Sequence, residues 1–463
     1  MPGIVSELVG IVGAERVLTG DAVTSRVTSF WSDAPMQGKA LVLPASTEEV
    51  SRVMSACYAQ DQTVVVQGGR TNAVTAAVSS PADVVLSLEK MNAVREIDGV
   101  GGTAVVEAGA VLQVVQEAAD DAGLYFPLDL GARGSCTIGG NIATNAGGIN
   151  VLRYGMMRNL VLGLEAVLAD GTVISSMNRM LKNNAGYDVK QLFIGTEGTL
   201  GVVTRAVLRL FPRPAGRHTA LVAMDDFAGV TGFLARMRER AGGSLSAFEI
   251  MWGNYYAGLT GDGGYRAPMA RDYPYYVIAQ LEGREPEADA ERFEAILAGA
   301  LEDGLIVDAV VPKSEAEARA LWQIREGFEP LLKPDPVFVY DVSLPIAHMP
   351  EYVGRVEQNV RKCWRDGACY TLGHVADGNL HFMVHPRETD ATHAESDRCV
   401  YEPLAHFGGS VSAEHGIGTE KIGWLASCRT AEEIQLMHSL KRSLDPKNIL
   451  NRGRVLAPRE RWH

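Results

Sequence analysis

His374 and His381 flank the dipeptide Asp377-Gly378, with apolar runs Cys369–Leu372 and Leu380–Val384 on either side. Asp-Gly signals a two-residue hairpin, because both turn positions take positive φ. Such a hairpin sets His374 directly opposite His381, with Cβ atoms roughly 5 Å apart. Both imidazoles could then ligate one metal ion; the plainer alternative is two polar residues on a solvated sheet face. Further on, Ser412 to Gly418 holds a carboxylate and an imidazole, Glu414 and His415, among small residues. Two glycine-rich stretches suggest a different ligand. Gln67-Gly68-Gly69-Arg70-Thr71-Asn72 follows the buried-type strand Thr63–Val66, and glycines at a strand end let backbone N–H groups approach an anion. Gly131 to Gly148 is the densest glycine region and carries Thr137, Gly140, Asn141 and Asn145. It suits an extended polar ligand such as the pyrophosphate and ribityl chain of a dinucleotide. The alternative is a surface loop without function, which the apolar strands bracketing the segment disfavour. There is no GxGxxG, so a nicotinamide-binding Rossmann domain lacks its fingerprint.

The elements that must position these residues fall into two rhythms. Up to residue 211, strands and helices alternate around the glycine segments, ending with Gln191–Thr204 and the strand Ala206–Phe211. Pro212-Arg213-Pro214-Ala215-Gly216 then breaks regular structure and is the expected boundary between domains 1–214 and 215–463. Beyond it, strands at 219–224, 275–281, 305–311, 337–342, 369–372 and 380–384 alternate with helices at 227–240, 287–301, 315–326 and 349–364. This pattern predicts an antiparallel sheet with helices on one face. Arg325 lies in the last turn of the third of these helices.

The 463 residues exceed one compact core. The net charge of −13 argues against nucleic acid, whose phosphates need a basic footprint. It leaves room for a small anionic substrate, since one arginine can hold a carboxylate. The six cysteines form no CxxC pair and read as reduced thiols, and no signal, transit peptide or membrane span is evident; the expected compartment is the cytoplasm. Oligomeric state is open, a homodimer included.

Taken together, Gln67–Asn72, Pro127 through Gly155, Glu197–Thr204, His374–His381, Glu414–Gly418 and Asp445–Asn451 resemble the FAD-dependent 2-hydroxyacid dehydrogenases of the vanillyl-alcohol-oxidase (PCMH) type. That group includes D-lactate dehydrogenase, D-2-hydroxyglutarate dehydrogenase and the glycolate oxidase flavoprotein subunit. The resemblance implies an α+β fold: an FAD-binding domain of two α+β lobes, then an α+β cap domain with an antiparallel sheet, and a C-terminal segment returning to the flavin. It places Gln67, Gly68, Gly69, Arg70, Thr71 and Asn72 along the pyrophosphate. Asp129, Thr137, Gly140, Asn141, Asn145 and Gly148 fall around the ribityl chain and flavin, Val203 on the adenosine side, and Asn451 at the flavin. Some relatives attach FAD through a histidine after the Gly-Gly pair; Arg70 and Thr71 stand there instead, which implies non-covalent FAD. The equivalents of His374, His381 and Glu414 hold a divalent, zinc-like ion, and two imidazoles with one carboxylate leave open positions as a catalytic site needs.

By the same resemblance His415 is the base, while Arg325 and Asn379 contact the substrate. The implied reaction takes hydride from C2 of a D-2-hydroxy acid to flavin N5 and leaves a 2-oxo acid. The electron acceptor is then an electron-transfer flavoprotein, a quinone or a heme protein. Two positions depart from the D-2-hydroxyglutarate pattern: Glu329 replaces a threonine and Val339 a lysine. In a buried site that loss disfavours a second carboxylate by roughly several kcal/mol. The expectation is therefore D-lactate or a larger 2-hydroxy acid, with D-2-hydroxyglutarate or an O₂-using oxidase of the same fold as alternatives. A metal-dependent hydrolase or binding protein whose glycine segments are only loops is the reading from another class.

Overall fold

A computed structural model describes residues 3–29, 31–333 and 336–457; the outer ends of both expected domains lie outside these. The chain divides into two compact units. The first comprises residues 1–148, 155–213 and 414–463; the second, 149–154 and 214–413. The break at Pro214 falls in the Pro-rich stretch, and the chain after residue 413 rejoins the first unit.

The first unit is built on two sheets. One has the order Val17–Leu18, Ala40–Val42, Val84–Ser87, Val64–Gln67, with its last three strands parallel. These strands are almost wholly buried, as near-continuous valine and leucine runs require. Leu450 adds a parallel bridge to Val64, so the C-terminal segment extends this sheet past its edge. The other sheet is antiparallel, in the order Val173–Ser176, Val161–Val167, Val202–Arg209, Thr103–Glu107, Val94–Asp98. The helix Thr47–Ala59 opens with Ser46 accepting the Glu49 N–H, as the Ser-x-x-Glu spacing predicts.

The second unit is a seven-stranded antiparallel sheet. Its order is Asp308–Val310, Gly216–Met224, Tyr275–Gly283, Leu245–Trp252, Ala368–Gly373, Asn379–His385, Phe338–Ser343. The middle strand, Leu245–Trp252, is absent from the sequence reading, as are the helices Gly253–Thr260 and His393–Leu404. The expectation of helices on one face is also corrected. Tyr255, Leu259, Leu321 and Ile324 pack with Met251, Leu372 and Met383 on one side. On the other, Phe233 of the helix Phe227–Arg240 meets Phe248, and Tyr352 of the helix Met349–Cys363 meets Phe382. All eight residues of Leu245–Trp252 are buried. A strand covered on both faces loses the alternation that would mark it, and its lone charge, Glu249, disguises it further.

Candidate active site

In the second unit, His381 lies on the strand Asn379–His385 directly opposite Leu372, not His374. The expected two-residue Asp-Gly turn is therefore wrong. The connection is the 3₁₀ turn Val375–Asp377, closed by Gly378 at φ 91°. The register differs by two residues from the expected one. An even shift leaves each side chain on its own face, so His374 still meets His381, with ring centroids 5.4 Å apart at 80°. Gly373 makes the close turn practicable, because a Cβ there would stand 3.0 Å from Leu380 Cα.

Behind His374 stands Glu249, a residue the sequence reading passed over. Its carboxylate is 1% exposed, with Oε1 2.8 Å from His374 Nδ1 and Oε2 accepting a 3.1 Å bond from Arg325 Nε. Burial alone would raise the Glu249 pKa. The charges of His374 and Arg325, and their hydrogen bonds, outweigh it and hold the carboxyl below the usual range. Arg325 ends the helix Glu315–Glu326, but its head does not swing into solvent: the residue is 7% exposed. Its Nη2 lies 2.8 Å from Glu249 Oε2, an ion pair that is not aligned as a hydrogen bond.

Asp341, on the strand Phe338–Ser343, is the second unexpected hub. It faces His381 across the sheet and accepts from Asn379 Nδ2 at 2.8 Å, Ser412 Oγ at 3.1 Å and the Ala413 N–H at 3.0 Å. Asn379 gives its amide protons to Asp341 and to Val342 O, leaving Oδ1 buried and unbonded. The bond to Ala413 pins the chain one residue before Glu414. Among the described residues, His374, His381 and Glu414 make a group able to hold a metal ion, each offering one ligand atom. Glu329 is exposed and Val339 is 45% exposed.

In the first unit, a cleft is lined by Gln67, Gly68, Thr137, Gly140, Val203 and Asn451, all expected from the sequence, and by Phe193 and Glu197, which were not. Thr137 Oγ1 and Asn141 Nδ2 are buried without hydrogen-bond partners. A Cβ on Gly68 would stand 2.5 Å from Thr137 Oγ1. Bare backbone beside unsatisfied polar atoms fits an extended polar group such as a dinucleotide.

The other expected residues do not line this cleft. Arg70 donates to Val27 O, Thr71 O accepts from Trp31 Nε1, and Asp129 pairs with Arg133 at 2.6 Å. Asn145 takes φ 52° and accepts the Arg158 N–H. Gly69 sits so close to Ser135 O that no Cβ could be accommodated. The Gly148 N–H donates to Glu414 Oε1 at 2.7 Å, and Asn72 Nδ2 donates to His415 O at 3.1 Å. Glu197 accepts the N–H groups of Ile417 and Gly418 at 2.6 and 2.8 Å, fixing the backbone after His415. Asn451 is locked by the Val66 N–H and by its own bond to Glu197 O.

Residues 38–176 match the model of an FAD binding domain, and residues 213–455 match the C-terminal domain of FAD linked oxidases. Proteins named D-2-hydroxyglutarate dehydrogenase are similar over most of their length. One, from Xanthomonas citri pv. viticola, is 38% identical over 92% of this chain and 90% of its own; another, mitochondrial, from Bos taurus, is 39% identical over 90% and 77%. A Schizosaccharomyces pombe mitochondrial protein named as a D-lactate dehydrogenase is 34% identical over 88% and 80%. The crystal structure of p-cresol methylhydroxylase with substrate bound superposes with a TM-score of 0.76 over 98% of this chain and 96% of that one, at 18% identity, which speaks for the fold alone. With both family models matched and relatives this similar along most of its length, the chain belongs to the FAD-linked oxidase family, among its 2-hydroxyacid dehydrogenases.

Proposed function

We propose that this chain oxidises D-2-hydroxyglutarate to the 2-oxo acid. The observation that carries the reading is Arg325: a buried guanidinium held along one edge by Glu249, which in turn meets His374. Such a donor suits the α-carboxylate of a 2-hydroxy acid. The names of the more similar relatives favour the five-carbon diacid over D-lactate. The sequence argument against a second carboxylate loses its premise, because it required burial and both Glu329 and Val339 are exposed.

FAD supplies the acceptor for the hydride, and a divalent zinc-like ion held by His374, His381 and Glu414 supplies a Lewis acid for the 2-hydroxyl. Arg325 pairs with the α-carboxylate, and Asn379 offers its unbonded Oδ1 to the substrate. His415 takes the hydroxyl proton on its imidazole. Gln67, Gly68, Thr137, Gly140, Asn141, Val203 and Asn451 hold the flavin without a covalent bond, since Arg70 and Thr71 offer no imidazole to attach it. D-lactate is the second reading, favoured by the Schizosaccharomyces pombe relative named for that activity. An anaerobic screen separates the two. D-2-hydroxyglutarate should bleach the flavin at a lower concentration than D-lactate, the L-acids should not, and a chelator should stop the bleaching. Bleaching by D-lactate alone would reverse the assignment.

A further inference from the structure

Glu249 stands alone as a charge within the buried strand Leu245–Trp252, at the centre of the second unit's sheet. An ionised carboxylate at such a position costs several kcal/mol unless both oxygens are well used. Here each oxygen serves a different functional residue, and the two residues come from distant parts of the chain. Oε1 meets His374 Nδ1 and Oε2 meets Arg325 Nε. We propose that Glu249 is a positioning residue that fixes the His374 tautomer and the Arg325 guanidinium together, coupling the metal ligand to the substrate anchor.

The chemistry follows from what a carboxylate can do. It only accepts hydrogen bonds, so the His374 nitrogen facing it carries the proton. That leaves Nε2 with the lone pair a metal ion requires; a ligand histidine is commonly oriented in this way by a carboxylate behind it. On Arg325 the same carboxylate oxygen lies 3.1 Å from Nε and 2.8 Å from Nη2, and so holds one edge of the guanidinium. A guanidinium already held on one edge loses less freedom when it pairs with an incoming carboxylate. The neighbouring polar group on this side of the site, Asp341, serves Asn379 and the Ser412–Ala413 segment instead. Among the described residues Arg325 Nε has no other acceptor, so the two tasks fall to one side chain.

The proposal rests on the function argued above only for the identity of metal and substrate, and its first test needs neither. In the metal-free flavoprotein, ¹⁵N–¹H spectra of the histidine rings, assigned with His374→Gln, should show His374 protonated on Nδ1. An Nε2–H ring in the wild-type protein would overturn the proposal, whatever metal or acid the enzyme uses.

The second test is Glu249→Gln. Its amide keeps the shape but presents an N–H to one of the two partners. The expected results are a shift of His374 toward the Nε2–H tautomer and a 10- to 100-fold weaker affinity for Zn²⁺ alone, measured by chelator competition. At saturating Zn²⁺, KM for D-2-hydroxyglutarate should remain about tenfold raised, with a smaller change in kcat, as expected for a loss of preorganised binding. A variant that melts earlier yet keeps the wild-type tautomer, Zn²⁺ affinity and KM would reduce Glu249 to a structural ion pair. If Glu249→Gln does not fold, the wild-type spectrum still decides.

Discussion

His415 is the residue on which the proposed chemistry rests most directly. Its backbone is held on both sides, by Asn72 at its own carbonyl and by Glu197 at the two N–H groups that follow Gly416. Removing the ring should therefore leave the loop in place. For His415→Ala the expectation is unchanged flavin content and a 10²- to 10⁴-fold slower anaerobic flavin reduction, the range for a lost general base; unchanged reduction would remove His415 from that role. Asn451 predicts the opposite pattern. Its amide joins the Val66 N–H to Glu197 O beside the cleft. Asn451→Ala should weaken flavin retention on gel filtration while residual holoenzyme keeps its turnover. Of these two residues the sequence offered His415 through its glycine setting and Asn451 only through resemblance. Glu249 left one trace, a carboxylate among Phe248, Ile250 and Met251. Its meaning depends on His374 and Arg325, which no spacing in the sequence connects.

At the scale of elements, the C-terminal helix Ala431–Leu444 is tied to the cleft by one buried lysine. Lys441 spends its three donors on Thr199 O, Asp445 Oδ2 and Leu450 O at 2.9, 2.6 and 2.7 Å. Burial lowers its pKa, and Asp445 partly restores it. Asp445→Ala leaves this ammonium without its counter-charge and frees the Ile449 and Leu450 N–H groups. Breaking such a buried pair costs roughly 3–5 kcal/mol. The denaturant midpoint should fall accordingly, and flavin should be lost with it, because Asn451 follows this segment. A second prediction concerns the helices Met349–Cys363 and His393–Leu404, whose Cys363 and Cys399 sulfurs lie 3.4 Å apart. Burial pushes the Cys399 thiol up to about 12, while Cys363 is exposed. Diamide should draw two hydrogens from this pair and join the helices by a disulfide; a peptide map in which Cys363 still alkylates would refute it. Helices with sequence caps were legible nearly to the residue, as at 315–326, because Ser314 and Glu317 carry their own start signal. The strand Leu245–Trp252 was not, since its partners lie at 275–283 and 368–373.

Across the first unit, Glu165 links the antiparallel sheet to the helix Thr47–Ala59. It accepts from Thr47 on the helix Thr47–Ala59, and from Thr204 and Arg205 on the neighbouring strand. Burial would raise its pKa, but the Arg205 and Thr47 hydrogen bonds and the Arg205 charge outweigh it and hold it below the ordinary glutamate value. The folded state thus binds the proton less readily than the unfolded chain. The resulting stability is complete above the unfolded pKa of about 4.3 and is lost as pH falls through the lower folded value. Melting temperatures between pH 3 and 7 should therefore fall more steeply on the acid side for the wild type than for Glu165→Gln; parallel curves would exclude Glu165 as the cause. The amino-acid order alone determined the family, through the runs that resemble it, and also the glycine-rich segments and the shared face of the two histidines, which the two-residue period of a strand preserves. Only the tertiary structure decided the register that sets Leu372 against His381, the helices on both sheet faces, and the union of Glu249 with His374 and Arg325. Each of these depends on strand pairing between distant segments, whose energy comes from burial that no single stretch of sequence contains.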